Sequence, residues 1–264
     1  MSATNVSEPG SVVTIRYIDP RTVSDRQQLA TWRSWLDRQE QARMGRFLQA
    51  KHQHDFLVSH ALRRSVVARA LGCAPQTLVF GTTGRDKPVL AHPGGPQALH
   101  FNLAHTEGLA VVAVSDAPVG VDVECLERAV AGADLARRYF TEREYADIAR
   151  QPAQTQRQRF LTYWTLKEAF LKAQAWGIVD DLGGFEFEIS AAPDSNRIRL
   201  RVHQARLSPT EPWRFHHWQP TVAHLMSLAY SARLAAPVAI DCQPWDGRSN
   251  VTARACPSHQ LLSE

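Results

Sequence analysis

The sequence predicts an α/β (α+β) chain of two similar subdomains, and three observations carry that expectation. Its elements read in the order strand, helices, strands, then helices, strands again. Two stretches, FNLAHTEGLAVVAVS and FHHWQPTVAHLMSLAYS, share a strand, turn, strand rhythm. With 264 residues and 44% hydrophobic content, the chain can bury one large core or two small ones. The boundary is expected between Ala117 and Gly120, giving subdomains at 1–117 and 118–235. Beyond Ala236, Pro, Ser, Arg and Asn follow without periodicity, so a flexible tail is expected over 236–264.

The first element is the β-branched, alternating run from Ser11 to Asp19, a strand that Pro20 closes. Leu29, Trp32, Leu36 and Met44 then recur at helical intervals between Asp25 and Arg46. A better-patterned helix is expected from Gln53 to Leu71, ended by Gly72. Next come TLVFGTTGRDKPVL, a strand into a Gly-rich turn, and short β-rich runs from Ala98 to Leu126 that read as three strands of one sheet. The stretch from Asp134 to Gln174 is strongly helical. FEFEI, IRLRV, WRFHHWQ and HLMSLAYS then supply the strands of a second sheet.

Composition narrows the function classes. Cys73, Cys125, Cys242 and Cys256 form no CxxC pair and have no His at ligand spacing, so neither zinc nor a disulfide framework is indicated. The N-terminus lacks a basic region followed by an apolar run, and no stretch approaches the roughly 18 apolar residues of a membrane span. A soluble, cytoplasmic protein that is not exported is expected, with no membrane partner. A formal charge of +4 is mildly basic, but the arginines are spread out and no nucleic-acid-binding pattern is present. Nucleic acid is therefore not an expected partner.

The sharpest local signal is GVDVE, Gly120 to Glu124. In a strand Asp122 and Glu124 share one face while Val121 and Val123 pack the other. Like charges held together suit a hard cation such as magnesium, although an exposed strand face whose acids meet water is the plainer alternative. In YWTLKEAFLKAQAWG, Tyr163 to Gly177, Glu168 and Lys172 stand one helical turn apart. That spacing is equally that of an ordinary surface ion pair. Lys87 and Pro88, followed by FNLAHT from Phe101 to Thr106, form a third signal. His105 alone is more often a core or surface residue, and Asn102 and Thr106 also suit turns.

Together, in the order KP, FNLAHT, GVDVE and WTLKEAFLK, these motifs resemble those of the Sfp-type 4′-phosphopantetheinyl transferases. The resemblance spans roughly Arg43 to Phe187, and more loosely the strands up to Ser231. It implies two α/β subdomains related by pseudo-twofold symmetry, with the active site and coenzyme A in the cleft between them. The implied activity is direct attack by a carrier-protein serine on the β-phosphate of coenzyme A, releasing adenosine 3′,5′-bisphosphate. By similarity, Asp122, Glu124 and Glu168 hold Mg2+, or Mn2+ in its place. Glu168 is the general base, directly or through a metal-bound water, and Lys172 meets the phosphates. Lys87 and Pro88 lie near the adenine, and His105 and Thr106 near the 3′-phosphate. Arg43, Arg46 and Arg64 match basic positions that approach the phosphates of coenzyme A.

Two positions depart from the family pattern. Ala104 stands where a serine is usual, removing a hydroxyl contact to the nucleotide, and Gln53, His54 and Asp55 stand where many relatives place an arginine. His52 or His54 could substitute for it. The implied partner is an apo acyl carrier protein or peptidyl carrier protein of fatty-acid, polyketide or nonribosomal-peptide synthesis, and two fused halves favour a monomer. A magnesium-dependent phosphodiesterase and a non-catalytic coenzyme A-binding module are the competing readings.

Overall fold

The computed structural model describes residues 11–82, 88–90, 99–127, 132–176, 182–190, 198–234 and 238–248. After β1 (Val12–Ile18), Asp25 caps α1 (Arg26–Trp35) and Asp37 caps α2 (Arg38–Gly45). The expected single helical stretch is broken at Leu36, whose backbone is extended. The Asp37 side chain accepts the Glu40 N–H while Glu40 returns to the Asp37 N–H, a capping box that starts a new helix. α3 (Ala50–Leu71) ends at Gly72, whose φ of +65° lets Cys73 N–H reach back to the Ala68 carbonyl. There follow β2 (Phe80–Thr82), β3 (Pro88–Leu90), β4 (His100–Thr106), β5 (Leu109–Ser115) and β6 (Val119–Cys125).

The second helical region divides into α4 (Gly132–Tyr139), α5 (Glu142–Ala149) and α6 (Ala153–Gln174). Thr141 and Glu144 form the capping box of α5, and Pro152 precedes α6. The remaining strands are β7 (Phe185–Ile189), β8 (Ile198–Val202), β9 (Trp213–Thr221), β10 (His224–Ser231) and β11 (Ala239–Pro244).

The strands do not sort as the sequence order suggests. β4 and β5 pair with each other, but β6 leaves them for the ladder β6-β10-β9, so the three runs from Ala98 to Leu126 are not one sheet. FEFEI and IRLRV likewise form their own two-stranded ladder, β7-β8. β1-β5-β4 and β6-β10-β9 nevertheless repeat one plan: a first strand, then a hairpin whose second strand lies antiparallel to it. Each is overlaid by a 22-residue helix, α3 in one half and α6 in the other.

Three apolar clusters follow from this plan. One lies under α3 with Trp32, Leu57, Leu62 and Val112. A second surrounds α6 with Phe160, Leu166, Phe170 and Phe185. A third fills the seam between the two sheets with Val13, Ile15, Val111, Val121, Val123 and Met226. Fully burying such side chains contributes about 1.5–3 kcal/mol each, which makes the seam a cohesive joint.

The expected flexible tail is corrected over 239–248. β11 pairs in parallel with β1, Trp245 stacks on Trp32 at 4.7 Å, and Trp32 Nε1 donates to the Gly247 carbonyl. Unpaired edge groups of β1 and an exposed indole outweigh the weak local patterning of this segment. Residues 249–264 lie outside the described residues. Among the described residues, no helix is long and apolar enough to cross a membrane.

Candidate functional site

The site is made where α6 crosses β6. Gly120 allows it: a Cβ there would stand 2.0 Å from the Ala169 carbonyl oxygen and 2.5 Å from Ala173 N, so no side chain fits between helix and strand. Two residues on, Asp122 faces this contact, and Ser227 and Leu225 of β10 oppose Asp122 and Glu124 in the ladder. From the helix come Glu168 and, one turn later, Lys172, whose Nζ donates to Asp122 Oδ1 at 2.5 Å.

The electrostatics are unbalanced. Burial raises the Asp122 pKa to about 7 against the pull of Lys172, with Glu168 and Glu124 adding to the rise. Burial likewise raises Glu168, and the neighbouring Glu124 acts in the same sense. Burial works to lower Lys172, but its carboxylate neighbours, Asp122 foremost, raise it instead. Three carboxylates against one ammonium leave a formal −2 when all are ionised. Asp122 Oδ2 and Glu168 Oε1 are buried without a hydrogen-bond partner, a state that costs about 1–3 kcal/mol per atom.

Hard oxygen donors, two unsatisfied buried oxygens and a deficit of two charges fit a magnesium-like cation. Among the described residues, no three His, Cys, Asp or Glu side chains already stand as a preformed metal cluster; Lys172 holds Asp122 instead.

FNLAHT is strand β4 rather than a turn, and its alternation serves two faces. Asn102 Oδ1 accepts the Val121 N–H of β6 at 2.9 Å. Thr106 Oγ1 donates to Glu124 Oε2 at 3.2 Å and accepts from Cys125 N. Ala104 lies between them, buried in the seam cluster. On the other face, His105 opens onto a cleft of about 460 Å³ lined by Phe47, Lys51, His52, Asp55, Phe56 and Thr106. His105 keeps solvent contact, yet desolvation, and after it the Lys172 charge, lowers its pKa. His52 lines this cleft, whereas His54 Nε2 is bound to the Pro20 carbonyl at 2.8 Å.

The basic residues separate. Arg43 lies over the Phe56 ring at 5.9 Å, and its charge contributes to lowering His105, so it approaches the cleft. Arg46 is exposed at the C-terminal cap of α2. Arg64 is corrected: it is fully buried, with Nε on Glu40 at 2.7 Å, Nη1 on the Pro75 and Leu78 carbonyls and Nη2 on Asp37. A guanidinium so committed has no donor for a phosphate. Pro88 opens β3 opposite Thr82, and Lys87 lies outside the described residues.

Sequence reasoning missed Lys167, the neighbour of Glu168 in the same motif. Its Nζ is fully buried, donating to the Leu182 and Phe185 carbonyls at 2.7 and 2.6 Å and pairing with Glu144 at 2.9 Å. Helical spacing alone signals it, since position 167 falls on the apolar side with Phe160, Phe170 and Leu171.

Residues 118–233 match the family described as the 4′-phosphopantetheinyl transferase superfamily, and residues 23–117 match a 4′-phosphopantetheinyl transferase N-terminal family. The chain is 35% identical over 186 residues to the 4′-phosphopantetheinyl transferase HetI of Nostoc sp., covering 70% of each. It is 31% identical to psf-1 of Bacillus pumilus over 68% of this chain and 75% of that one. It is 27% identical to Sfp of Bacillus subtilis, over 59% of this chain and 67% of the relative. Both Bacillus proteins carry the name 4′-phosphopantetheinyl transferase.

Proposed function

The chain belongs to the 4′-phosphopantetheinyl transferase superfamily, and we propose that it moves the phosphopantetheine arm of coenzyme A onto a serine of an apo acyl or peptidyl carrier protein. The observation that carries this reading is the meeting of Asp122, Glu168 and Lys172 beside Glu124, next to a cleft of about 460 Å³ bordered by His105 and Thr106.

Asp122, Glu124 and Glu168 would hold a divalent cation, Mg2+ or Mn2+. When bound, that ion supplies positive charge to the pyrophosphate of coenzyme A. Glu168, whose pKa burial raises, takes the proton from the carrier serine hydroxyl. The serine Oγ forms a bond to the β-phosphorus, and the bond from that phosphorus to the bridging oxygen breaks. The electron pair leaves with adenosine 3′,5′-bisphosphate. Lys172 Nζ, kept charged by its carboxylate neighbours, offsets the charge that grows on the departing phosphate. His105, Thr106, Arg43 and the chain around Lys87 and Pro88 would orient the nucleotide. A mildly basic protein suits an acidic carrier surface. Completion of the site within one chain supports a monomer, and a cytoplasmic location suits the free cysteines 73, 125 and 242.

Incubation with coenzyme A, Mg2+ and an apo carrier protein tests this by intact mass. The carrier should gain one phosphopantetheine, chelation should stop the gain, and Mg2+ or Mn2+ should restore it. Hydrolysis of coenzyme A with an unchanged carrier would support a phosphodiesterase instead. Binding of coenzyme A with neither outcome would support a non-catalytic module.

A further inference from the structure

Behind the carboxylates runs a buried line of polar side chains that the reaction itself does not use. Thr165 Oγ1 of α6 lies 2.7 Å from Ser227 Oγ of β10. Ser227 Oγ lies 3.0 Å from His217 Nδ1 of β9, and His217 Nε2 lies 3.2 Å from Thr162 Oγ1, back on α6. The line thus leaves the helix, crosses two strands and returns one turn earlier. Each end terminates on a helix carbonyl: Thr162 on Gln158 at 2.9 Å, and Thr165 on Leu161 at 2.9 Å or Thr162 at 3.2 Å.

We propose that His217, acting through Ser227 and Thr165, is a positioning residue that fixes how α6 lies over β6 and hence where Glu168 and Lys172 stand relative to Asp122. This inference rests on the reading of those residues as the reacting centre.

Proton counting shows that a neutral imidazole leaves no internal link of the line open. Three hydroxyls and one neutral imidazole supply four protons for five links, so one helix carbonyl yields its bond while every internal link is filled. The line can run in either direction through a neutral imidazole, one ring nitrogen donating and the other accepting. Burial, and after it the Arg159 charge, lowers the His217 pKa to about 4, which keeps the ring neutral at working pH. Thr165 and Ser227 are fully buried, so water does not replace their partners.

Register converts this line into placement. Ser227 is the ladder partner of Asp122, so the two side chains rise from the same face of the sheet. Thr162, Thr165, Glu168 and Lys172 follow one another at intervals of three, three and four, along one stripe of the helix. A rotation or slide of α6 that displaced Glu168 from Asp122 would also break Thr165–Ser227 and Thr162–His217. Apolar packing alone does not fix a helix so specifically, because Leu and Phe contacts tolerate small slides that hydrogen bonds do not.

The full-length protein carrying Ser227→Ala, His217→Phe or His217→Gln provides the test. The readouts are Mn2+ affinity of the free protein by electron paramagnetic resonance, kcat and KM for coenzyme A, and the melting temperature. In Ser227→Ala and His217→Phe, Mn2+ affinity and kcat should each fall about tenfold or more, while KM for coenzyme A stays within about twofold. His217→Gln offers one donor and one acceptor and should recover most of both losses. Wild-type kcat and Mn2+ affinity in Ser227→Ala would overturn the proposal, as would equal kinetic impairment of the Gln and Phe variants. Should His217→Phe fail to fold, Ser227→Ala decides alone. Glu168→Gln separates the two levels. If it turns over normally, the reading of the reacting centre fails; if it is inactive while Ser227→Ala is normal, only the positioning role fails.

Discussion

Each half of the molecule buries a cluster of charges against its long helix, and the two clusters differ in what they leave unsatisfied. Under α3, Glu40 accepts from His60 at 2.8 Å, from Arg64 at 2.7 Å and from Arg63, while Asp37 takes the remaining arm of Arg64 at 2.9 Å. Two acids meet two guanidiniums, Arg63 also lies over Phe80 at 4.1 Å, and in that cluster Arg63 Nε is the buried donor without a partner. Beside α6, three carboxylates share one lysine, and two buried carboxylate oxygens find no partner. Charge balance with every carboxylate oxygen engaged marks a staple. A deficit of positive charge, with oxygens left unused, marks a place that expects a ligand. The same contrast recurs within one motif: Lys167 is enclosed by Glu144 and two carbonyls, whereas Lys172 stays partly open to solvent.

The comparison breaks or sharpens at specific positions. Asp122→Ala and Glu168→Gln should each lower transfer by roughly a thousandfold, as read by intact mass of the carrier, with the melting temperature unchanged or raised. Near-normal turnover would make this cluster a staple like the other. Glu40→Ala should do the reverse, losing about 3–5 kcal/mol in denaturant unfolding because it strands the buried Arg63 guanidinium and takes one carboxylate from Arg64, while activity per folded molecule persists.

A third outcome concerns acid. Burial, assisted by the Arg63 charge and opposed by the Glu40 hydrogen bond, lowers the His60 pKa to about 4. The unfolded chain then binds the extra proton first, so stability is complete above pH 6.5 and falls as the pH drops toward 4. The expected loss is about 3 kcal/mol, measured as the denaturation midpoint against pH, and His60→Gln should flatten the curve. Glu40 acts lower still: burial favours its neutral form, but His60, Arg63 and Arg64 outweigh that and bring it to about 2. Its contribution is present above pH 4.5 and is lost as the pH falls through about 2.

The smallest effect compares the ends of the two long helices. α3 ends on Gly72 at φ +65°, but α6 ends on Ala175 at φ +57°, a conformation that disfavours a Cβ. Ala175→Gly should raise the unfolding free energy by about 1 kcal/mol. A loss instead would mean that the Ala175 methyl group packs better than the strained backbone costs.

Much of this was legible in the chain. The alternation in GVDVE placed Asp122 and Glu124 on one strand face, the spacing of Glu168 and Lys172 placed them one turn apart, and Gly72 marked the end of α3. The two strand, turn, strand segments became the hairpins β4-β5 and β9-β10. The departure of β6 to another sheet was not legible, because its apolar residues suit burial against either neighbour. Arg64 was misjudged for a related reason: a helical arginine reads as basic surface until Glu40, 24 residues earlier, is folded onto it. β11 was lost in a polar, aperiodic tail because its partner, β1, lies at the opposite end of the described chain.

The sequence by itself determined the period of each element, its caps and the side chains that share a face, since these depend on neighbours within about one helical turn or one strand. Tertiary structure alone decided which charges would be satisfied. Lys172 meets Asp122 across 50 residues and Arg16 meets Asp241 across 225. Whether a buried carboxylate becomes a staple or keeps an unused oxygen depends on the partners that distant segments bring to it, and on the water they remove.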